Sequence, residues 1–140
     1  MKLKAPLLIL GLFNSISVFT QVVDAGNGHA IILDKSGSVW TVGRNNYGQI
    51  GDSTLFNTNV PKKVNGLSNV TAISRGYDHS IALKKDGTVW LWGRNNYGQL
   101  GWDLPTDALF PRQLENHKDF VAIEGGHWHT AGLKKDGTVW

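Results

Sequence analysis

Six residues, Arg-Asn-Asn-Tyr-Gly-Gln, stand at positions 44–49 and again at 94–99. The offset of 50 recurs along the chain, linking Gly26, Gly76 and Gly126, then His29, His79 and His129, then Trp40, Trp90 and Trp140. A fixed period near 50 without drift means one supersecondary unit copied in tandem, and periods of this size belong to solenoids, propellers and arrays. Between Gly26–Gly51 and Gly76–Gly101, 16 of 26 positions are identical.

Within the unit the local signals are those of short strands and tight turns. An apolar run closed by glycine (residues 22–26, 72–76 and 122–126) reads as a first strand, and residues 29–33, 79–83 and 129–133 as a second. Lys-Ser-Gly or Lys-Asp-Gly follows, and Asp-Gly between apolar runs is a strong hairpin signal because glycine accepts positive φ. The third strand is predicted at 38–42 and 88–92, where β-branched and aromatic residues suit a pleated, half-buried surface. The hexapeptide is then a loop, and a short fourth strand is expected at 62–64 and 112–114, introduced by Pro61 and Pro111. Four short antiparallel strands per unit make the blade of a β-propeller. The expected fold is therefore all-β: a partial propeller of two four-stranded blades plus the start of a third, after an N-terminal signal segment. The boundaries are 1–20 for the signal, 21–69 and 70–119 for the full units, and 120–140 for the third.

Residues 1–20 carry Lys2 and Lys4, then the apolar run 7–13, then small and polar residues at Asn14, Ser15 and Ser17. That order is the signal-peptide pattern, and the run is short for a bilayer span. A secreted, periplasmic or cell-surface location is expected, with no stable membrane anchor. With no cysteine in the chain, disulfides, thiolate metal sites and lipoprotein anchoring are excluded. The formal charge of +3 falls to +1 without Lys2 and Lys4, so a nucleic-acid partner, which requires a clustered basic surface, is not indicated.

The framework Gly-x-x-His, then Asp-Gly-x-Val-Trp-x-x-Gly-x-Asn-x-x-Gly-Gln-x-Gly, then Pro, is carried by Gly76, His79, Asp86, Gly87, Val89, Trp90, Gly93, Asn95, Gly98, Gln99, Gly101 and Pro111. It resembles the regulator of chromosome condensation repeat. The first unit matches except for Ser36 in place of the aspartate. The resemblance implies propellers of about seven blades, so further blades or other copies are needed to close the ring.

The histidines invite a metal reading, but equivalent slots in neighbouring blades need not converge, and a zinc site wants three or four ligands. A structural imidazole bonded to a neighbouring turn is the expectation. No nucleophile, carboxylate pair or phosphate-binding glycine pattern supports catalysis or a cofactor, and the chain is not expected to be an enzyme. Asn69-Val70-Thr71 is a glycosylation triplet at a strand start. The sharper site comes from strand alternation, which places the first-to-second and third-to-fourth connections at one end. There the pairs before each histidine do not repeat, and the expected binding face is Tyr77, Asp78, His127 and Trp128, near Asn95, Asn96 and Trp102. The expected role is recognition of a protein or cell-surface ligand. The alternative implied by the resemblance is guanine-nucleotide exchange, which the even spacing of the units and the export signal do not favour.

Overall fold

A computed structural model describes residues 22–103 and 106–140; the expected signal segment lies outside them. The first sheet comprises β1 (Val22–Ala25), β2 (His29–Leu33), β3 (Val39–Gly43) and β4 (Thr58–Lys63) in chain order. The second repeats it with β5 (Val70–Arg75), β6 (His79–Lys84), β7 (Val89–Gly93) and β8 (Ala108–Gln113). A two-stranded third sheet pairs β9 (Phe120–Gly125) with β10 (Thr130–Lys134), and Leu133 bridges to Val139 where the next strand starts. All pairings are antiparallel. Successive sheets stack, with β1 against β5 and β5 against β9, as blades of a partial β-propeller.

Stacking explains the burial patterns. In β2, His29, Ile31 and Leu33 are buried while Ala30 and Ile32 are only half-buried, because successive side chains point to opposite faces and one face has no neighbouring sheet. In β6, the residues from His79 to Leu83 are all buried, because the second sheet is covered on both faces. The core lies between the sheets, around Ile31, Val39, Ile81, Leu91, Trp92 and Leu100.

The hairpin turns stand where expected: Gly37, Gly87 and Gly137 have φ of 77°, 79° and 85°. In the second unit Asp86 accepts from the Thr88 N–H and hydroxyl at 3.1 and 2.6 Å. In the first, where Ser36 replaces the aspartate, Asp34 takes over, accepting from the N–H groups of Ser36 and Ser38 at 2.8 and 3.1 Å. The fourth strands depart from expectation. They begin earlier, at Thr58 and Ala108, and carry Pro61 and Pro111 in their interiors. Both are edge strands, and their register shifts between Thr41 and Gly43 and between Leu91 and Gly93. Each proline falls in the shifted stretch, where its missing N–H costs no ladder bond.

Candidate binding face

The two connections expected at one end are joined there by backbone bonds. The Arg44 N–H donates to the Gly28 carbonyl at 2.7 Å, and the Arg94 N–H to the Asp78 carbonyl at 2.9 Å. The hexapeptide repeats because its amides build the loop. Asn45 and Asn95 are fully buried, and their Oδ1 atoms accept from the N–H groups of Ile50 and Leu100, each at 2.9 Å. Gln49 and Gln99 accept from the N–H groups of Tyr47 and Tyr97, again at 2.9 Å.

The histidines tie one unit to the next. His29 Nε2 lies 3.0 Å from the Ser80 hydroxyl, which donates to the Gln49 carbonyl at 2.9 Å. His79 Nε2 lies 3.0 Å from the Thr130 hydroxyl, which donates to the Gln99 carbonyl at 2.8 Å. A hydroxyl has one proton, so each imidazole must donate from Nε2, leaving Nδ1 bare. Burial pushes both rings down to about 4, helped at His29 by the charges of Arg75 and His79 and at His79 by that of His129. Both are neutral at pH 7. The expected bond to a neighbouring turn is replaced by one to the second strand of the next unit. These imidazoles are occupied structurally, and among the described residues no three His, Asp or Glu side chains converge on a metal position.

Above this frame sits an aromatic cluster spanning the second and third units. Tyr77 stacks on His127 with centroids 4.4 Å apart, and Trp128 lies 5.2 Å from both Tyr77 and Tyr97. His127, Trp128 and Tyr97 are exposed and Tyr77 is half-buried. Beneath them the Arg94 guanidinium sits 4.4 Å from the Tyr47 ring and 5.2 Å from that of Trp128. Its charge is matched by Asp78, 3.2 Å away.

The expected site residues therefore divide. Tyr77, His127 and Trp128 come together, and Asn96 is exposed on the neighbouring loop. Asp78 and Asn95 are buried instead of presented. Asp78 is needed below the surface, where it accepts from Gln49 Nε2 at 3.3 Å and pairs with Arg94. Asn95 is needed inside its own loop. Trp102 is half-buried against the core with the Arg112 guanidinium 4.7 Å from its ring, and among the described ring contacts none joins it to the cluster. Tyr97 and Arg94 were missed because they belong to the repeated hexapeptide. The available signal was chemical: a loop held by asparagine, glutamine and glycine has no need of a tyrosine ring.

The model of the regulator of chromosome condensation (RCC1) repeat matches residues 36–83 and 86–133, and a second model of that description matches 19–49 and 70–99. The chain belongs to the RCC1 repeat family. Among solved structures it is similar to human WBSCR16, with 26% identity and a TM-score of 0.76. It is also similar to Prp20p of Saccharomyces cerevisiae, at 21% and 0.76, and to yeast RCC1 (Prp20) in a complex with Kap60, at 23% and 0.73. Each alignment covers 84% of this chain and 30–32% of the other, so the chain spans about a third of those proteins. None of the curated protein sequences matches it.

The RCC1 repeat framework now has physical reasons. A Cβ on Gly76 would lie 1.9 Å from His79 Cε1, and one on Gly126 would lie 2.2 Å from His129 Cε1. The glycine of Gly-x-x-His thus makes room for the imidazole in the second and third units, while at Gly26 a Cβ would instead meet the Arg75 guanidinium at 1.6 Å. Gly43 and Gly93 have φ of 116° and 102°, and a Cβ there would meet the Gly28 and Asp78 carbonyls at 2.3 and 2.5 Å. They let the loop close on the preceding connection.

Proposed function

We propose that this chain is an exported RCC1-repeat module that recognises a protein or cell-surface ligand through Tyr77, His127, Trp128 and Tyr97. The aromatic cluster is the observation that carries this reading. Its rings are in contact at one end of two stacked units, with His127, Trp128 and Tyr97 exposed and Tyr77 half-buried, and are braced by the Arg94–Asp78 pair. Tyrosine and tryptophan give large contact area with few rotatable bonds, so a preformed aromatic face binds at low entropic cost. The residues at 77, 127 and 128 also differ from their counterparts in the first unit, Asn27 and Gly28. The blade therefore does not require their identity. Export is supported by the order of charge, apolar run and small residues in 1–20.

Binding to other proteins is in keeping with the family: the yeast structures concern a complex with Kap60 and binding to Gsp1p and histones. Nucleotide exchange is less favoured, because the two full units are evenly spaced at 50 residues. The test is capture on the immobilised chain from periplasmic or cell-surface extracts. A partner retained by the parent and lost with Tyr77→Ala plus Trp128→Ala supports the reading, and one retained equally by both overturns it.

A further inference from the structure

The hexapeptide is identical in the first two units, yet its charge is balanced in only one of them. In the second unit the Arg94 guanidinium pairs with Asp78 at 3.2 Å, and the Asp107 carboxylate accepts the Asn95 N–H at 2.8 Å. In the first unit both acids are replaced: Gly28 stands at the position of Asp78, and Asn57 at that of Asp107. Asn57 makes the same loop bond without the charge, accepting the Asn45 N–H at 2.8 Å. Half-buried Arg44 lies along Gly28, and among the described residues no carboxylate is within ion-pair distance of it. Its position is nonetheless fixed. Oriented to satisfy its neighbours, the Asn46 amide accepts from Arg44 Nε and Nη2 at 3.1 and 3.2 Å and donates to Asn57 Oδ1 at 3.3 Å. A neutral amide chain thus holds a guanidinium that keeps its full charge and its Nη1 donors.

The same loop presents two large apolar side chains. Leu55 and Phe56 are 53% and 77% exposed, where the second unit has Pro105 and Thr106. Their backbone is tied on both sides. The Thr54 carbonyl accepts from Asn45 Nδ2 at 2.9 Å, and the Phe56 N–H donates to the Thr54 hydroxyl at 3.3 Å. Asn57, bonded to Asn45 and Asn46, directly follows Phe56. The Ser53 N–H donates to the Leu109 carbonyl of the second unit at 2.9 Å, so the loop is braced across the junction of two complete units. The blade requires neither the unpaired cation nor the apolar tip, since the second unit keeps the loop-closing bonds of Asn95 and Gln99 without them.

We propose that Arg44, Leu55 and Phe56 form a second contact at the recognition end, and that it takes an acidic side chain flanked by apolar residues on a protein partner. This rests on the reading of that end as a recognition face. The guanidinium supplies charge-assisted bonds to a carboxylate, and the apolar pair supplies the buried area. Both are held in place before binding, which lowers the ordering cost. A lipid surface fits less well. Residues 44–57 hold Arg44 as their one cation, and the nearby Lys62 is already paired with Asp52, whereas anionic bilayers are held by clusters of basic residues.

The test selects a random peptide library, displayed on phage, against the immobilised chain and measures the enriched peptides by fluorescence anisotropy. Enrichment of aspartate or glutamate beside leucine or aromatic residues is expected. Arg44→Gln and Phe56→Ala should each weaken those peptides at least about tenfold, with melting midpoints within about 2 °C of the parent. Gly28→Asp copies the second unit's acid beside the arginine, since a Cβ there would lie 3.2 Å from Arg44 Cδ. It should weaken the peptides as much, by neutralising Arg44 from within. Peptides that survive Arg44→Gln and Phe56→Ala but are lost with Tyr77→Ala and Trp128→Ala overturn this contact and leave the aromatic face standing. Peptides lost with the first pair and indifferent to the second sustain it even where the aromatic face fails. Enrichment of basic or purely apolar peptides overturns it, as does no enrichment, or capture of phosphatidylglycerol vesicles through Phe56 instead of peptides.

Discussion

Replacing Ser80 by alanine removes one of the hydrogen bonds that join the first unit to the second. The hydroxyl is fully buried, accepts from His29 Nε2 and donates to the Gln49 carbonyl. The carbonyl keeps a partner, since the Trp92 indole also donates to it at 2.9 Å. The imidazole does not: its Nδ1 is already without a partner, and its Nε2–H would become a buried, unsatisfied donor. Such a group costs about 1–3 kcal/mol, so a loss of about 2 kcal/mol is expected, or a fall of roughly 8 °C in melting midpoint for a domain of this size. The backbone tolerates the change, because Ala30 occupies the same register position in the first unit without harm to β2. Two controls bracket the measurement. Ser80→Thr keeps the hydroxyl, as at Thr130, and should lose less than half as much. Ala30→Ser adds a hydroxyl on a half-buried face and should change stability by less than about 0.5 kcal/mol. Thermal unfolding at pH 7 by near-ultraviolet circular dichroism gives the answer. A midpoint for Ser80→Ala within about 2 °C of the parent would refute the inter-unit role of this bond.

Other outcomes follow from the same geometry. Gly87→Val should destabilise by more than about 1 kcal/mol in urea unfolding, since φ is 79° and its Cβ would lie 3.1 Å from Asp119 backbone atoms. His29 and His79 are held at about 4, below the unfolded value near 6.5, so the unfolded chain binds more protons between these limits. Stability should be complete above pH 6.5 and fall as pH drops toward 4, by up to about 3 kcal/mol for each ring; a midpoint unchanged between pH 7 and pH 4.5 contradicts this. A secreted reporter fused after Thr20 should lose its leader, and mass spectrometry of an intact amino terminus would count against export.

Much of the fold was legible because repetition reports what the backbone needs. Gly37 and Gly87 recur because their turns require positive φ, and Asn45 and Asn95 recur because they close the same loop. The fourth strand was misplaced because proline usually marks a strand start, whereas here it occupies a shifted register on an edge. The histidine partner was illegible, since no local pattern says that position 79 faces position 130 of the next unit. For the site, absence of repetition singled out Tyr77, His127 and Trp128, whose rings lie in contact, and also Asp78, which is buried. A non-repeated residue can still be buried when it has a charge to match, as Asp78 has in Arg94, whereas Gly28 stands at its position beside Arg44. Tyr97 was hidden by the opposite effect: it repeats, yet its ring stands 63% exposed beside Trp128.

The central claim is that the aromatic face serves recognition and not the stability of the blades. It is tested most directly by measuring affinity for the captured partner and melting midpoint together, on Tyr77→Ala and Trp128→Ala. Each should weaken binding by about 2 kcal/mol, roughly thirty-fold in Kd, if it is an anchor, with a midpoint within about 2 °C of the parent. A large fall in midpoint, with affinity per folded molecule unchanged, would show that these rings only pack between blades.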